Sequence, residues 1–190
     1  MRRKILASLT VLAFLVGVGV ASWIWHGHHT LRYLAEVEPG LLYRSGQPDG
    51  SQLSSVVKRY GIKTIINLRI PDRMTSDPRA AEEREAAAAL GVRLVNIPSS
   101  QSPSPEILRQ FFEIVDDFSS RPVLLHCSAA EVRTGALVAA YRIYRCGWTY
   151  EQALEEAARF ELKPGRWEYL GFESFLKNFA AQHARSPAQR

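Results

Sequence analysis

From residue 31 onward, short apolar runs alternate with segments in which apolar residues recur every three or four positions. The short runs are rich in valine, isoleucine and leucine, which is typical of strands buried in a sheet. The longer segments carry one apolar face and are typical of amphipathic helices. We predict strands at residues 40–43, 62–68, 92–97 and 122–125. We predict helices at residues 49–60, 77–90, 134–146 and 167–181, with further helices opened by Pro105 and Thr149.

Capping residues mark the ends of several predicted helices. Asp77 precedes Pro78, which is the order of an N-cap residue and a proline in the first helical position. Thr149 and Gln152 have the spacing of a capping box, in which each side chain bonds the other residue's backbone N–H. Gly91 follows the second predicted helix, at a position where glycine commonly ends a helix. These boundaries are therefore predicted from local chemistry.

The order of the elements predicts the fold class. Strands that alternate with helices form three-layer α/β domains, in which a mostly parallel central sheet is flanked by helices. Residues 31–182 are predicted to form this domain, and residues 183–190 a disordered tail. The helix at 134–146 is apolar nearly all round, so we expect it to be buried, with Cys146 packed inside. In such sheets, ligands bind at the loops that follow the carboxyl ends of the strands.

Composition and charge exclude several classes of protein. Apolar residues make up 46% of the chain, which is enough to build a core and excludes a disordered chain. Two cysteines are too few for a disulfide-stapled mini-protein or a cysteine-rich zinc module. The net charge of +5 comes from basic residues at the two ends, because the charges between the ends are balanced. No basic surface of the kind that binds nucleic acid is therefore predicted.

The first 30 residues have the pattern of a membrane anchor. Residues 5–25 form an uncharged run of 21 positions, about the length that crosses a bilayer as a helix. Three basic residues precede the run, and Trp23 and Trp25 close it, which orients the basic end towards the cytoplasm. We predict an uncleaved signal anchor, and the alternative is a cleaved signal peptide with small residues at 19–21. Both place the body on the non-cytoplasmic, periplasmic side, and the cleaved form would be secreted.

The most informative segment follows the last predicted strand. Cys127 comes at the end of that strand, and Arg133 comes six positions later, where a buried helix begins. Backbone N–H groups at a helix N-terminus attract an anion, and an arginine side chain holds two phosphate oxygens at once. The same positive potential favours the thiolate form of Cys127, which is a nucleophile. The alternative is that Cys127 is an ordinary buried thiol.

Two neighbours of this segment have predicted supporting roles. The Thr134 hydroxyl follows Arg133 directly and is expected to donate a hydrogen bond to the sulfur of Cys127. His126 is predicted to fix the end of the strand by a hydrogen bond to nearby backbone. No metal site is predicted, since the histidines at positions 26, 28 and 29 have no acidic or cysteine residue beside them.

The stretch from His126 to Gly135 resembles the Cys-x5-Arg loop of the protein tyrosine phosphatases. A histidine before the cysteine and Thr-Gly after the arginine are similar to the dual-specificity type. The resemblance to a bacterial dual-specificity-like subfamily, here with a predicted membrane anchor, extends to residues 43–48, 66–69, 141–142 and 147–148. It covers about residues 42–160, which are most of the body.

The resemblance implies an activity and a set of residue roles. The activity is hydrolysis of phosphomonoesters through a cysteinyl-phosphate, without a metal or another cofactor. By the resemblance, Cys127 is the nucleophile and Arg133 binds the phosphate. The resemblance also implies that the backbone lining the bound phosphate comes from Ser128, Ala129, Ala130, Glu131 and Val132.

Two residues depart from the family pattern. Ala130 stands where the family nearly always has glycine, and a left-handed backbone there costs alanine about 1 kcal/mol or more. Glu131 places a carboxylate beside an anion site, and we expect it to point out to solvent; the alternative is a displaced general acid. The loop expected to supply the acid, residues 98–103, has no carboxylate. Asp72 is the next candidate, because Asp77 is explained as a helix cap.

We therefore expect a membrane-anchored cysteine phosphatase that acts on phosphotyrosine proteins or on similar small phosphomonoesters. The loop contains no lysine, so polyphosphorylated inositides are disfavoured. The alternatives are a catalytically weak pseudophosphatase that binds phosphorylated ligands, and a lipid-monophosphate phosphatase at the membrane surface. A sulfurtransferase is disfavoured, since the corresponding loop of rhodaneses is typically one residue shorter.

Overall fold

The structure is a computed structural model that describes residues 16–17, 31–71, 77–165 and 167–183. The chain divides into two compact units, Met1–Thr30 and Leu31–Arg190. The strands and helices given below belong to the second unit. The predicted anchor, apart from residues 16–17, and the predicted tail beyond residue 183 lie outside the described residues. Within the described ranges, no helix is both long and apolar enough to span a membrane.

A mixed sheet forms the centre of the second unit. Its strands are β1 (Ala35–Glu38), β2 (Leu42–Ser45), β3 (Thr64–Asn67), β4 (Arg93–Asn96) and β5 (Val123–His126). Their order across the sheet is β1-β2-β5-β3-β4. The edge strand β1 is antiparallel to β2, and the pairs β2–β5, β5–β3 and β3–β4 are parallel. The predicted mostly parallel sheet is confirmed.

Helices cover both faces of this sheet. They are α1 (Gly50–Tyr60), α2 (Pro78–Leu90), α3 (Pro105–Asp116), α4 (Val132–Tyr144), α5 (Tyr150–Ala158) and α6 (Trp167–His183), with a short 3-10 helix at Phe118–Ser120. One face shares a buried cluster with α1 and α2 that includes Ile65 and Leu124. The other face shares a cluster with α3 and α4 that includes Leu125. The helices α5 and α6 pack on α4. The predicted three-layer arrangement is confirmed.

The predicted helix caps are present. The Asp77 side chain accepts a hydrogen bond from the Arg79 N–H at 3.0 Å and is the N-cap of α2. Thr149 and Gln152 form the capping box that precedes α5. Gly91 has a left-handed φ of 66°, which lets its N–H reach back to the last turn of α2. The two ends of α2 and the start of α5 therefore follow from local chemistry.

The edge strand β1 is not predicted from the sequence. Its four residues are Ala-Glu-Val-Glu, and among them only Val37 is buried. A short, half-exposed strand with two charges has a weak apolar signal. A contact with α4 helps to fix the position of β1, because the Tyr141 hydroxyl donates a hydrogen bond to Glu38 at 2.6 Å. The next strand, β2, begins two residues later than predicted, because Gly40, with a φ of 70°, belongs to the turn before it.

Helix α4 is buried as predicted, but it is displaced towards the N-terminus. It covers Val132–Tyr144 rather than residues 134–146, and its central turns are almost fully buried. Cys146 therefore lies past the end of the helix and is exposed. The expectation that Cys146 packs in the core is wrong, because the helix ends two residues before the cysteine.

The three central strands end at the same level of the sheet. Ser45, His126 and Asn67 are paired in register across β2, β5 and β3. Glu83 reaches this edge from α2 and is 1% exposed. Its carboxylate accepts hydrogen bonds from Asn67 Nδ2 at 2.8 Å and Gln47 Nε2 at 3.0 Å, and it lies 2.6 Å from His126 Nε2. One buried carboxylate therefore joins the ends of three strands.

The ionisation of Glu83 is set by these partners. Burial raises the pKa of its carboxyl, but the charge of His126 and the hydrogen bonds from His126, Gln47 and Asn67 outweigh burial. The pKa of Glu83 therefore lies below the usual value of 4.5. A carboxyl whose pKa falls on folding stabilises the fold above its unfolded pKa, and this contribution is lost as the pH falls through the folded pKa.

We expect Glu83→Gln to destabilise the fold by about 2 kcal/mol at neutral pH, because an amide NH2 replaces one of the two carboxylate oxygens that face the buried Asn67, Gln47 and His126 side chains. The difference should shrink as the pH falls from 4.5 through the lower pKa of the folded Glu83 carboxyl, because the stability that the ionised carboxyl contributes is lost over that interval. Urea unfolding of both proteins over a range of pH measures it. Glu85→Gln, on the exposed side of α2, is the matched control and should change stability by less than about 0.5 kcal/mol. A difference that does not depend on pH would contradict this role of the Glu83 charge.

Candidate active site

Cys127 follows β5 at the centre of the carboxyl edge of the sheet. Because β5 lies between β2 and β3, the loops that follow these three strands meet around the cysteine. The cysteine is 3% exposed, and it begins the segment of residues 127–133, here called the Cys127 loop. Parallel sheets bind ligands at such loops. Cys127 therefore lies where the sequence predicts it, at the end of a buried strand.

Arg133 lies in the first turn of α4 and reaches back over the Cys127 loop. Its Nη2 donates a hydrogen bond to the Ser128 hydroxyl at 3.2 Å, and its Nη1 donates to the Leu68 carbonyl at 3.3 Å. Both of these acceptors are neutral, so neither cancels the charge of the guanidinium. The side chain is held near the loop and retains a positive charge that an anion can use.

The backbone of the Cys127 loop offers hydrogen-bond donors at the N-terminus of α4. The N–H groups of Ser128, Ala129, Ala130 and Val132 donate no hydrogen bond to any other described residue. The first helical turn contains no acidic residue, and the N-cap residue, Glu131, makes no side-chain cap. Free N–H groups and the positive end of a helix together attract anions. These donors are therefore available to a ligand.

Ala130 has a left-handed backbone, with a φ of 61°. Alanine in this conformation costs about 1 kcal/mol or more relative to the right-handed region. The residue is fully buried, so its methyl group packs within the fold. The guanidinium of Arg44 donates a hydrogen bond from Nη2 to the Ala130 carbonyl, which holds the peptide in this orientation. The strain expected from alanine in place of glycine is therefore present.

Arg44 belongs to this site, and its role is not identified from the sequence. It lies on β2 and is 1% exposed. Its guanidinium carbon is 3.6 Å from the centre of the Phe160 ring, a cation–π contact. Burial lowers the pKa of Arg44 to about 10, although the charges of Glu156 and Cys127 act in the opposite direction. Arg44 is therefore charged at neutral pH. The sequence feature that could have identified this residue is its position directly after an apolar run.

The loop after β2 packs directly on the Cys127 loop. The Gln47 N–H donates to the Ser128 carbonyl at 3.0 Å, and the Gly46 N–H donates to the Arg32 carbonyl at 2.8 Å. A Cβ atom at Gly46 would lie 3.2 Å from the Ser128 carbonyl oxygen and 3.3 Å from the Arg32 Cβ. Both distances are tighter than ordinary van der Waals contact, so a side chain at position 46 would push these two segments apart by a few tenths of an ångström.

Glu131 does not point into solvent. The residue is 8% exposed, and its Oε1 lies 2.6 Å from Nη2 of Arg32. The Arg32 side chain is 57% exposed, so the carboxylate of the pair is buried and the guanidinium is in contact with water. The expectation of an outward, solvated Glu131 is wrong, because a cation that is distant in sequence covers the carboxylate.

Thr134 and His126 flank the Cys127 loop in sequence. Thr134 is fully buried, and its Oγ1 has no hydrogen-bond partner among the described residues. The predicted hydrogen bond from Thr134 to the Cys127 sulfur is not formed in this structure, so this role of Thr134 stays a prediction. His126 Nδ1 lies 3.3 Å from the Cys127 carbonyl, where it is able to fix the strand end.

Asp77, one of the aspartates that follow β3, is held by cations. It caps α2, and its Oδ2 lies 2.8 Å from Nη2 of Arg69. Burial raises the pKa of Asp77, but its bonds to Arg79 and Arg69 outweigh burial and hold the pKa below the usual value. Asp77 is therefore ionised at neutral pH and is unsuited to donate a proton. Asp72 lies outside the described residues, so its role as an acid stays a prediction.

Metal-ligating side chains do not cluster in the part of the chain that the structure describes. No group of three or more histidine, cysteine, aspartate or glutamate side chains in that part is placed to hold a metal ion. The histidines at positions 26, 28 and 29 lie outside the described ranges.

The chain is similar to known phosphatases over most of its second unit. The family model described as DSP-PTPase phosphatase fused to NAD+ kinase matches residues 31–170. The dual specificity protein phosphatase TpbA of Pseudomonas aeruginosa is 31% identical over 120 residues, which are 62% of this chain and 50% of TpbA. An inositol diphosphatase of Oryza sativa subsp. japonica is 29% identical over 155 residues, 78% of this chain and 66% of that protein. This chain thus spans about half the length of TpbA.

Solved structures share the fold. A putative phosphatase of Shewanella putrefaciens CN-32 has a TM-score of 0.60 at 26% identity, over 82% of this chain and 95% of that chain. The core catalytic domain of a PP-IP phosphatase of S. cerevisiae has a TM-score of 0.65 at 24% identity, over 78% of this chain and 86% of that chain, which shows a common fold. The matched family model covers well over half of the chain. The chain therefore belongs to the DSP-PTPase family of dual-specificity-like cysteine phosphatases.

Proposed function

We propose that this chain hydrolyses phosphomonoesters through a cysteinyl-phosphate intermediate on Cys127. One observation carries the proposal: a buried cysteine, the guanidinium of Arg133 and backbone N–H groups that bond no other described residue occupy one loop at a helix N-terminus. The guanidinium and the N–H groups bind phosphate oxygens, and the Cys127 sulfur is the nucleophile that attacks phosphorus. The family to which the chain belongs supports this class of reaction.

The proposed reaction has two displacement steps. In the first step, the Cys127 sulfur attacks phosphorus, an S–P bond forms, and the P–O bond to the leaving group breaks. In the second step, water attacks phosphorus, and the S–P bond breaks to regenerate the thiolate and release orthophosphate. Arg133 and the backbone N–H groups hold the phosphoryl oxygens in both steps, and the Thr134 hydroxyl donates a hydrogen bond to the departing sulfur.

The leaving oxygen takes up a proton as its bond to phosphorus breaks. Asp72, which follows β3 in the sequence, is the first acid that we propose to test. Glu131 is the second, although its carboxylate is held by Arg32. If no side chain supplies the proton, aryl phosphates are the favoured substrates, since their leaving groups need less protonation.

The proposed substrate carries a single phosphoryl group, as phosphotyrosine does. The Cys127 loop contains no lysine and carries one carboxylate, so it offers little positive charge to a second phosphoryl group. The names of the relatives include both kinds of enzyme, a dual specificity protein phosphatase and an inositol diphosphatase. The charge of the loop favours activity of the protein-phosphatase kind.

Ala130 favours a second candidate function, that of a weak catalyst that binds phosphorylated ligands. A strained backbone at Ala130 reduces the time that the loop spends in the conformation in which its N–H groups converge. A lipid monophosphate is a further substrate class, which the proposed membrane anchor in residues 1–30 would favour. The anchor would hold the catalytic unit, residues 31–182, on the periplasmic side.

Cys127→Ser should abolish hydrolysis of an aryl phosphate and retain phosphate binding, because the backbone and Arg133 bind the anion. Steady-state assays and calorimetric titration with orthophosphate measure the two properties. Cys146→Ser is the matched control and should behave as the wild type, since Cys146 is exposed beyond the end of α4. Turnover near the wild-type rate in Cys127→Ser would rule out Cys127 as the nucleophile.

Arg44→Met should lower kcat by about tenfold, because the strained peptide at Ala130 loses the donor that holds it. Stability should fall by about 1–3 kcal/mol, since the buried Ala130 carbonyl is left without its donor. Ala130→Gly should raise kcat and should restore part of the activity of Arg44→Met, since glycine adopts the left-handed backbone without strain. Values of kcat, KM and the urea midpoint for the wild type, the two single variants and the double variant measure these effects.

Two results would contradict the coupling between these residues. An equal loss of kcat from Arg44→Met in the alanine and the glycine backgrounds would show that the two positions act independently. A lower kcat in Ala130→Gly alone would show that the loop accommodates alanine without strain that matters for turnover.

The proposed anchor predicts where the protein fractionates. The full chain should fractionate with membranes, and a chain that begins at Leu31 should remain in the supernatant, because it lacks the apolar run at residues 5–25. Cell fractionation and sequencing of the mature N-terminus measure this. Mature protein that begins at Ser22 and stays in the supernatant would contradict the anchor and indicate a cleaved signal peptide.

A further inference from the structure

We infer that Arg32 and Glu131 form a specificity-determining pair, which selects substrates with one phosphoryl group over polyphosphorylated ones. Glu131 is a residue of the Cys127 loop, and Arg32 lies in the segment before β1, 2.6 Å from the carboxylate. The pair therefore sets the charge at the rim of the loop. The inference rests on the proposed function, since it assigns the substrate class of the same site.

Arg32 is exposed and Glu131 is buried, and this difference opposes separation of the pair when an anion binds. The side chain of Glu131 is 10% exposed, and that of Arg32 is 57% exposed. If Arg32 turned away towards a ligand, the carboxylate would stay buried beside a phosphate dianion. Moving a cation away from a buried carboxylate costs free energy. Glu131 therefore retains Arg32 when an anion binds.

A chain of aromatic contacts also keeps Arg32 in place. Its guanidinium carbon lies 5.0 Å from the centre of the Tyr33 ring. Tyr33 packs edge-on against Phe160, with ring centres 5.8 Å apart, and Phe160 stacks on Arg44. Arg44 in turn donates a hydrogen bond to the Ala130 carbonyl. The segment that carries Arg32 thus contacts the Cys127 loop in two ways. One is the ion pair between Arg32 and Glu131, and the other is the series of contacts from Tyr33 that ends at the Ala130 carbonyl.

The charges of the loop then suit a single phosphoryl group. A bound dianion meets the guanidinium of Arg133, whose own partners are neutral. The charges of Arg32 and Glu131 cancel, so the pair adds no net attraction at the rim. A second phosphoryl group at the rim would meet Arg32, which is already paired with Glu131, and would be repelled by the Glu131 carboxylate. A neutral side chain at position 131 would remove the repulsion and release the cation.

Binding to the Cys127→Ser protein tests this inference without turnover. Orthophosphate and pyrophosphate are titrated calorimetrically into Cys127→Ser and into the same protein with Glu131→Gln, Arg32→Gln or both. Glu131→Gln should tighten orthophosphate binding by about threefold and pyrophosphate binding by about tenfold, since it frees Arg32 for the additional charge. Arg32→Gln should weaken binding of both ligands, and the double variant should return to the starting affinities.

Three outcomes would overturn the inference. They are unchanged affinities in Glu131→Gln, equal gains for the two ligands, and a gain that persists when Arg32 is replaced as well, because in each case Arg32 is not the cation that is released. Failure of Cys127→Ser itself to bind orthophosphate would instead overturn the proposed function. The two failures are therefore distinguishable.

A matched control separates this pair from other ion pairs on the surface. Arg109→Gln breaks contacts with two glutamates that lie within α3, and it should leave both affinities unchanged.

In the chain with its cysteine intact, Glu131→Gln should raise kcat/KM for a diphosphate ester by about threefold relative to an aryl monophosphate. A ratio that stays at the wild-type value would contradict the role of the pair in substrate selection.

Discussion

Three parallel strands bring polar side chains to one buried carboxylate, that of Glu83. His126, Asn67 and Gln47 come from neighbouring strand ends, and each contacts the carboxylate at 3.0 Å or less. His126 directly precedes Cys127, and the backbone N–H of Gln47 bonds the loop that follows, so the position of the cysteine depends on these contacts. The lowered pKa of Glu83 keeps its carboxyl ionised near neutral pH, and only the ionised form accepts from all three partners.

Three arginines then determine the conformation and the charge of the Cys127 loop. Arg44 holds the carbonyl of Ala130, Arg32 holds the carboxylate of Glu131, and Arg133 contacts only neutral acceptors among its described hydrogen bonds. An alanine in a left-handed conformation and a glutamate beside the proposed anion site are each unfavourable alone. Each is offset by an arginine from a neighbouring segment, which leaves the charge of Arg133 for a ligand. The departures of this chain from its family's pattern are thus compensated by contacts outside the loop.

Features that depend on a few adjacent residues are predictable from the sequence. Helix caps such as Thr149 and the spacing from the cysteine to the arginine of the loop belong to this class. The mostly parallel sheet is predictable for a different reason, because strands alternate with helices along the chain. The contacts that are not predictable join residues far apart in the chain: Arg32 and Glu131 are 99 positions apart, and Arg44 and Ala130 are 86 apart. The exposure of Glu131 is mispredicted for this reason, because no local pattern reveals that a distant cation covers it.

The covalent role of Cys127 is tested most directly by rapid quenching of the reaction with an aryl phosphate, followed by mass spectrometry of the peptide that contains this residue. A phosphoryl group should be found on the Cys127 sulfur, should form together with the first released phenol, and should decay at the rate of turnover. Phosphate attached to a different residue, or steady turnover during which Cys127 is never phosphorylated, would contradict the covalent mechanism.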